Sequence, residues 1–194
     1  MDKQTEEILQ KIEEAEYVLV GLGQEFDMEF FLQSREDYRR IREQLQQQNV
    51  LWLLPYVEEQ FRRQYLPEME AEIEKGLQKL AKVLEKKSYF VVSSSLNHKL
   101  AEVPWKKMLL KKERFVAPCG DWTKKQCPDG CEEGIQTVTE ADEEQLQESF
   151  KKLQTNGFSV PDLGKCPKCG KKLVLNNVYA GRYDEKGYLK TWTE

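Results

Sequence analysis

The sequence predicts an α/β protein: a Rossmann-like, partial parallel sheet with helices, followed by a small module built around four cysteines. Short β-branched runs at residues 17–20 and 89–93 are separated by amphipathic helical stretches, an alternation that is typical of parallel sheets. Two close cysteine pairs then lie in a segment enriched in Gly, Pro and Lys. The predicted boundaries are residues 1–118 for the Rossmann-like part, 119–180 for the cysteine module and 181–194 for a return to the first part or a C-terminal tail.

The composition is that of a soluble globular protein. Its 194 residues carry 30 Lys and Arg against 34 Asp and Glu, a net charge of −4, and 39% are apolar, which excludes a DNA-wrapping polycation and a disordered acidic tail. The longest apolar run, residues 50–57, is far shorter than the roughly 20 residues that cross a bilayer. Residues 1–16 lack the apolar stretch of a secretory signal. We therefore expect a cytoplasmic protein without membrane association, in which the cysteines are reduced.

Amphipathic helices are predicted on both sides of the first strand. Ile8, Ile12 and Ala15 recur at helical spacing before it. Two further apolar stripes follow it, and Pro67 begins the second of these helices. The members of the two stripes are Tyr38, Ile41 and Leu45, then Met69, Ile73, Leu77, Leu80 and Leu84. The aromatic-rich residues 50–65 between them are compatible with a helix broken before Pro55 or with a lid of aromatic side chains.

Two more strands and one more helix are predicted in the rest of the chain. Residues 89–93 are apolar on both faces, which predicts a strand covered by helices on each side of the sheet. Residues 114–117 indicate a shorter third strand. In the cysteine module, residues 139–142 form a capping box before an apolar stripe, and Gly157 is the expected stop of that helix. The stripe consists of Leu146, Phe150 and Leu153.

The two cysteine pairs give the strongest functional signal in the sequence. Cys127 and Cys131 form one pair, Cys166 and Cys169 form the other, and 34 residues separate them. Zinc takes four thiolate or imidazole ligands in a tetrahedron, and two turn-like pairs can supply two each. Four thiolates leave no coordination position open, so the expected zinc role is structural. A redox role is the alternative for close cysteine pairs, but no βαβ pattern follows either pair.

Two single residues are weaker candidates for chemistry. Cys119 lies outside both pairs and is either a reactive thiol or a small half-buried side chain at a strand end. A lone cysteine needs a base or a positive potential to form its thiolate. The only histidine of the chain, His98, lies on another loop. Only the fold could bring these two side chains together.

A glycine pair follows the first strand. Glycines at the first strand-to-helix turn let the phosphates of a ligand approach backbone amides. Gly21 and Gly23 fit that position, with Leu22 between them, but the full G-x-G-x-x-G pattern is absent because residue 26 is Phe. An ordinary tight turn is the alternative interpretation.

In their order along the chain, these signals resemble the sirtuin family, most closely the divergent bacterial branches related to macrodomain-linked sirtuins. Residues 17–23, Tyr-Val-Leu-Val-Gly-Leu-Gly, resemble the opening strand and phosphate turn of that family. Residues 89–98 resemble the strand that ends at its nicotinamide pocket. Cys-Gly-Asp-Trp at 119–122 is similar to the step into its zinc module, and Lys-Cys-Pro-Lys-Cys-Gly at 165–170 is similar to its second zinc knuckle.

The resemblance implies a Rossmann-like NAD domain with a zinc module and NAD-dependent deacylation or ADP-ribosyl transfer, a transferase chemistry. It places Cys119, Ser95 and Asn97 at the catalytic positions. The implied cofactor-binding residues are Gly21, Leu22, Gly23, Gln24, Ser94, Ser95, Asn97 and His98.

The chain departs from the family pattern at each of those catalytic positions. Cys119 stands where the family has its general-base His, Ser95 where it has Asn and Asn97 where it has Asp. Residues 24–27 replace the Ser-x-x-Ser-Gly-Ile-Pro-Asp-Phe-Arg loop. We therefore expect NAD consumption barely above background.

The expected partners are NAD or ADP-ribose and, if the chain is active, a protein substrate. A sheet of two or three parallel strands would expose an edge, so either the chain is a fragment or a partner chain or second copy completes the sheet. The alternative function is a non-catalytic scaffold in which zinc staples a protein-interaction module. A nucleic-acid-binding zinc ribbon is disfavoured because residues 1–50 carry six basic against twelve acidic groups.

Overall fold

Two three-stranded sheets and six α-helices make up the part of the chain that the computed structural model describes, residues 3–23, 26, 29–100 and 114–187. One sheet is parallel and the other antiparallel. The mixed α/β class with a parallel sheet and helices is thus confirmed. None of the helices in these ranges is both long and apolar enough to span a bilayer.

The parallel sheet has the order β1-β2-β3, in which β1 is Tyr17–Leu22, β2 is Ser88–Ser93 and β3 is Phe115–Val116. Val20 of β1 is in register with Val91 of β2, and Val91 with Phe115 of β3. Because all three strands run the same way, their carboxyl ends and the loops that follow them meet at one edge of the sheet.

Five helices lie in the first half of the chain: α1, Lys3–Glu14; α2, Glu29–Leu32; α3, Glu36–Gln47; α4, Leu54–Tyr65; and α5, Pro67–Leu84. A 3-10 turn, Leu51–Leu53, precedes α4, and Pro55 lies in the first helical turn, where a missing N–H breaks no hydrogen bond. Trp52, Tyr56 and Phe61 are buried in the core. The helix interpretation of residues 50–65 is therefore correct, and the aromatic side chains do not form a lid.

Helix α5 covers one face of the parallel sheet. Its apolar stripe places Leu77, Ala81 and Leu84 in one cluster with Leu22 and Val91 of the strands. The opposite face is not covered at β1, where Tyr17 and Leu19 are 73% and 76% exposed. Coverage on both faces was predicted for residues 89–93, which lie in β2; at β1, α5 packs on the side that carries Val18 and Val20. Within the described residues, β1 pairs on one side only, with β2, and a partner that completes the sheet stays a prediction.

The antiparallel sheet has β4, Gly120–Gln126, at its centre, with β5, Gln136–Thr137, on one side and β6, Val174–Asn177, on the other. Short 3-10 turns at Glu132–Gly134 and Glu185–Gly187 flank it. The sequence pattern did not predict β4, because its residues are mostly polar and charged.

Helix α6, Glu140–Gln154, begins with the predicted capping box. The Thr139 hydroxyl accepts a hydrogen bond from the Asp142 N–H, and the Asp142 carboxylate accepts one from the Thr139 N–H at 2.8 Å. At its other end the left-handed residue is Asn156, with φ of 62°, rather than Gly157. The Gly157 N–H instead donates to the Lys152 carbonyl at 2.9 Å, which satisfies one of the free carbonyls at the helix end.

The largest core joins the first helices to the antiparallel sheet. Helices α3, α4 and α6 pack in it with residues of β4 and β6 and with the first cysteine of each pair. Its buried members include Tyr38, Ile41, Leu45, Trp52, Tyr56, Phe61, Trp122, Cys127, Leu146, Phe150, Leu153, Cys166 and Leu175. The cysteine-bearing part therefore packs directly on the helical part, and the boundary between residues 118 and 119 stays a prediction.

A buried ion pair ties α6 to the antiparallel sheet. The Lys125 ammonium of β4 donates to both carboxylate oxygens of Asp142, at 2.8 and 2.7 Å, and to the Leu163 carbonyl at 2.9 Å. Burial raises the pKa of the Asp142 carboxyl, but the hydrogen bonds from Lys125 and Thr139 outweigh it and hold the pKa below its ordinary value. The carboxylate therefore stabilises the fold most at a pH above its ordinary pKa.

We expect Asp142→Asn to lower the free energy of unfolding by about 3 kcal/mol near neutral pH, because it leaves the Lys125 charge buried without its counter-ion. The native protein loses the stabilisation by Asp142 as the pH falls from about 5 through the lowered pKa, whereas the variant has none to lose. Urea unfolding at several pH values measures both effects.

Glu148→Gln is the matched control, since it breaks an exposed pair with Lys152 on the same helix. Its cost should be within about 0.5 kcal/mol. Loss of a bound metal at low pH would lower the free energy of unfolding of both variants equally. It therefore does not change the difference between the two variants. Equal costs for the two substitutions would show that the Lys125–Asp142 pair contributes little.

Candidate functional site

Four cysteine side chains converge between the turns of the antiparallel sheet. The Sγ atoms of Cys127, Cys131, Cys166 and Cys169 all lie within 4.8 Å of one another. The Sγ atoms of Cys127 and Cys169, which come from different pairs, are 3.4 Å apart. The structure thus brings together all four predicted ligands, and the cluster could hold a metal ion.

Each pair sits in a tight turn that a glycine closes. In the first, Gly130 has φ of 72° and its N–H donates to the Cys127 carbonyl at 3.0 Å. In the second, Gly170 has φ of 73° and its N–H donates to the Cys166 carbonyl at 2.9 Å. Glycine adopts this left-handed backbone without the steric strain of a Cβ. The turns thereby point both sulfurs of each pair to the same side.

The cluster is buried on one side and open on the other. Cys127 and Cys166 are 0% and 2% exposed, Cys131 is half-buried and Cys169 is exposed. Burial opposes ionisation of Cys127, but hydrogen bonds from the backbone of Cys131 and Asp129 and from neighbouring cysteines lower its pKa to about 7. Such a thiol is ready to bind a metal as its thiolate.

Two ion pairs lie beside the ligand turns. Lys171 pairs with Asp129 at 2.7 Å, and Lys168 approaches Glu133 at 3.7 Å. Four thiolates around a divalent ion carry two net negative charges. The positive charge of Lys171, which interacts with Cys169 and Cys127, offsets part of that charge.

A second group of predicted residues meets at the carboxyl edge of the parallel sheet. The Ser94 N–H donates to the Leu22 carbonyl at 2.9 Å, and the Asn97 side-chain amide donates to the Phe26 carbonyl at 3.4 Å. The first bond joins the last residue of β1 to the loop after β2, and the second joins a residue beyond β1 to the same loop. Leu22 and Ser94 are therefore neighbours, Asn97 contacts Phe26, and Gln24 lies outside the described residues.

Gly21 is not part of the turn. It lies within β1, in register with Val92 of β2. A Cβ at this position would meet no atom within 4 Å, so the fold of the described residues does not itself require glycine there. The glycine turn of the sequence prediction thus reduces to Gly23, the residue that follows the strand.

Ser95 and Asn97 fasten the loop after β2. The Ser95 N–H donates to the Ser93 hydroxyl, and the Asn97 N–H donates to the Ser95 hydroxyl at 3.1 Å. The Asn97 side-chain oxygen accepts from the Lys99 N–H at 3.1 Å. Such side-chain-to-backbone bonds are typical of a turn that holds its own shape. The predicted catalytic role of both residues stays a prediction.

A polar pocket opens beside this loop. Helix α4 forms one wall and the loop after β2 forms the other. The residues that line it are Pro55, Glu58, Glu59, Arg62, Leu96, Asn97 and His98. Sequence reasoning singled out Asn97 and His98 but missed the charged residues of α4. Their signal was an Arg three residues after a Glu within an aromatic-rich helix.

The charges of α4 in this pocket are buried and paired. The Arg62 guanidinium, 2% exposed, donates to the Glu59 carboxylate at 2.5 and 3.0 Å, and Arg63 donates to it at 2.6 Å. Burial raises the pKa of Glu59, but the hydrogen bonds from Arg62 and the charges of His98, Arg62 and Arg63 outweigh it and hold the pKa below its ordinary value. The Tyr38 hydroxyl donates to the Glu58 carboxylate at 2.6 Å. Both glutamates therefore have hydrogen-bond donors inside the protein.

His98 connects the pocket to the antiparallel sheet. The indole N–H of Trp122 on β4 donates to His98 Nδ1 at 3.0 Å, and the two ring centroids are 5.0 Å apart. Glu59 Oε2 lies 3.7 Å from the same nitrogen. Trp122 was not a candidate from the sequence, since nothing there shows which side chain a histidine will contact.

Cys119 follows β3 in the turn that leads to β4. The turn closes through the Gly120 N–H, which donates to the Ala117 carbonyl at 3.2 Å, and Gly120 has φ of 68°. The Cys119 side chain is half-buried, and its carbonyl accepts from the Val178 N–H at 3.0 Å. As the chain leaves β3 at the same sheet edge that β1 and β2 leave, Cys119 belongs to that edge. Its catalytic role stays a prediction.

No protein-family model matches this chain, and no curated protein matches its sequence significantly. The resemblance to sirtuins therefore stays a prediction from the motifs of residues 17–23, 89–98, 119–122 and 165–170. Function has to follow from the cysteine cluster and from the polar edge of the parallel sheet.

The cysteine cluster should be sensitive to one glycine beneath it. A Cβ at Gly134 would lie 2.5 Å from the Cβ of Cys127, so Gly134→Ala must displace the first ligand turn. We expect a loss of about 1–3 kcal/mol in the free energy of unfolding and weaker metal retention. Denaturant unfolding and a chromogenic metal-release assay measure the two effects.

Gly76→Ala is the control with the opposite sign. Gly76 lies inside α5, and a Cβ there would meet nothing within 4 Å. Because alanine favours a helix over glycine, the control should gain about 0.5–1 kcal/mol. A Gly134→Ala protein as stable as the native one would contradict the contact with Cys127.

Proposed function

We propose that this protein is a zinc-stabilised, sirtuin-like binder of NAD or ADP-ribose, with its ligand at the carboxyl edge of the parallel sheet. The observation that carries the proposal is the contact of the carboxyl end of β1 and of Phe26 beyond it with the loop after β2, through Leu22 to Ser94 and Phe26 to Asn97, next to a polar pocket. Open parallel sheets bind ligands at the carboxyl ends of their strands.

Zinc fits the cysteine cluster best by chemistry. Thiolates are soft ligands that favour zinc over magnesium, calcium or manganese. Four thiolates fill a tetrahedral site and leave no position for substrate, so the metal would serve stability. Cys127 and Cys131 would hold it from one side, and Cys166 and Cys169 from the other.

A dinucleotide is the proposed ligand at the carboxyl edge of the parallel sheet, where the segments that resemble sirtuins lie. Gly23 follows β1 without a side chain that would keep a phosphate from the backbone. Ser94, Ser95 and Asn97 shape the loop across from it. When NAD is bound, its glycosidic bond to nicotinamide is the bond that sirtuin-like chemistry breaks.

We propose only weak turnover. Deacylation of the sirtuin type needs a base that takes a proton from a ribose hydroxyl, a task suited to a group with a pKa near the operating pH. Here that position holds Cys119, which is half-buried. Asn97 stands at another position where the chain differs from the sirtuin pattern, and its side-chain amide holds the loop after β2. The residues of this edge are thus better arranged to bind a dinucleotide than to cleave it.

Metal analysis should find about one zinc ion per chain. We expect chelation to lower the melting temperature strongly, because the binding free energy of a structural zinc is part of the folding free energy. Returning zinc should restore the melting temperature. Cys166→Ser should lose the metal, whereas Cys119→Ser, the matched control outside the cluster, should keep it. A protein that folds equally well without metal would contradict the structural role.

Titration of the zinc-loaded protein with NAD and ADP-ribose, followed by backbone amide NMR, tests the ligand site. We expect shifts at Leu22, Gly23, Ser94, Ser95 and Asn97. Gly23→Val should weaken binding by about tenfold or more, because its side chain would occupy the phosphate approach.

Gly76→Ala on α5 should bind as tightly as the native protein. No shifts with either ligand would favour the non-catalytic scaffold. Binding of a random oligonucleotide in place of NAD would favour the nucleic-acid alternative. Either result would end the proposal of a dinucleotide site.

A further inference from the structure

Strand β1 lies at the edge of the parallel sheet and lacks the usual protection against pairing. Within the described residues it pairs on one side only, with β2. Its sequence, Tyr-Val-Leu-Val-Gly-Leu, contains no charged residue and no proline, the side chains that commonly keep sheet edges apart. We propose that β1 is a dimerisation strand, which pairs antiparallel with β1 of a second copy of this chain so that Leu19 lies on the two-fold axis.

The outward-facing backbone groups of β1 belong to alternate residues. The Leu22 carbonyl accepts a hydrogen bond from the Ser94 N–H, so the backbone groups of Leu22 point toward β2. In a parallel ladder, the N–H and C=O of one residue point to the same neighbour, and this direction alternates along the strand. The groups of Val18 and Val20 therefore also face β2, whereas those of residues 17, 19 and 21 face outward. These three residues can form the hydrogen-bonded pairs of an antiparallel ladder.

The same three residues form a self-complementary row on the uncovered face of the sheet. Tyr17 and Leu19 are 73% and 76% exposed, and Gly21 follows them at the two-residue period of a strand. A two-fold axis through Leu19 sets Leu19 opposite its own copy and Tyr17 opposite Gly21 of the partner subunit. Aromatic rings pack well across an edge glycine, because glycine leaves the space that the ring fills.

This pairing gives a reason for Gly21, which the fold of the described residues does not. Glycine weakens the interior of a strand and often marks a place where another group approaches closely. Gly21 lacks the left-handed backbone that would demand glycine, and a Cβ there would meet no atom within 4 Å. In the dimer, a side chain at this position would occupy the place of Tyr17 of the partner subunit.

Charge favours the antiparallel orientation of the two copies. Glu13, Glu14 and Glu16 precede β1. A parallel pair would align these acidic groups, and like charges directly opposite each other are destabilising. The antiparallel pair sets Glu16 opposite Leu22 of the partner subunit, so the two acidic ends lie about 20 Å apart, beyond the screening length of about 8 Å. The two-fold axis also closes the assembly at two copies.

The size of the paired surface sets the expected affinity. A standard stable interface buries about 800 Å² on each partner, more than two paired strands of six residues provide. We therefore expect a reversible dimer with a dissociation constant in the micromolar range.

Analytical ultracentrifugation of the full chain without NAD tests the dimer. The native chain should pass from monomer to dimer across the micromolar range. Leu19→Lys should raise the dissociation constant at least about tenfold, because two ammonium groups would meet on the axis. Because Leu19 is exposed in the single chain, the melting temperature of the monomer should not change. Val160→Lys is the matched control: it changes an apolar residue that is 48% exposed outside the parallel sheet, and should dimerise like the native chain.

Gly21→Val and amide hydrogen exchange test the register. The new side chain has room in the single chain, so it should not lower the melting temperature of the monomer, but it should weaken the dimer about tenfold. Where the native chain is dimeric, the N–H groups of Tyr17, Leu19 and Gly21 should exchange about tenfold or more slowly than in Leu19→Lys. The N–H groups of residues 18 and 20 should be protected in both proteins, because they face β2.

A native chain that stays monomeric up to about 1 mM would overturn the dimer and leave this edge to a strand of another protein. A dimer that survives Leu19→Lys would overturn it as well, because another surface would then join the copies. A dimer that is lost in Leu19→Lys but unchanged in Gly21→Val would contradict the pairing of Tyr17 with Gly21. None of these results depends on NAD binding, so the dimer and the proposed function can fail separately.

Discussion

The packing of α4 against β4 is the contact on which the rest of the structure depends. It joins Tyr56 to Trp122 and places Phe61 against Phe150 of α6 in the same core. The Asn177 side chain adds a hydrogen bond from β6 to the Trp52 carbonyl just before α4, at 3.0 Å. Helix α4 therefore has one side in the core with the antiparallel sheet and another in the polar pocket. Without this contact the loop after β2 would lose the wall that completes its pocket.

Buried charges on α4 come at an energetic cost that only neighbouring groups can offset. An ion pair as deep as Glu59 and Arg62 gives little net stability, because desolvation of both groups cancels much of their attraction. Apolar side chains of the same size would pack there at no such cost. The burial of Glu58, Glu59 and Arg62 beside His98 is thus typical of a binding site rather than of a stabilising core.

The periodic parts of the fold could be predicted from the sequence. The apolar stripes predicted the helices at residues 36–47 and 67–84, and the capping box predicted the start of α6. Ligand spacing predicted the convergence of four cysteines, because two short turns constrain four sulfurs with little help from the rest of the chain.

What could not be predicted depends on contacts between distant segments. Strand β4 has a polar sequence that does not indicate a strand. It is a strand because it pairs with β5 and β6, which are distant in the sequence. In the sequence, Glu59 and Arg62 look like an ordinary solvent-exposed ion pair three residues apart on a helix. Their burial is evident only once the loop that carries His98 is seen to pack beside them. The exposed face of β1 was missed because apolar residues alone do not reveal which sheet face a helix will cover.

Strand β4 connects the cysteine cluster to the residues beside the polar pocket. β4 begins at the turn after Cys119, carries Trp122 toward His98 and ends one residue before Cys127, the most deeply buried of the four clustered sulfurs. The sheet around it is small, and two of its strands have only two and four residues. Short strands bury too little apolar surface to hold themselves in place. A metal ion held by the cysteines of residues 127–131 and 166–169 would supply the missing constraint by closing the long loop between them. The position of Trp122 against His98 thus depends on the same strand that leads into the cysteine cluster.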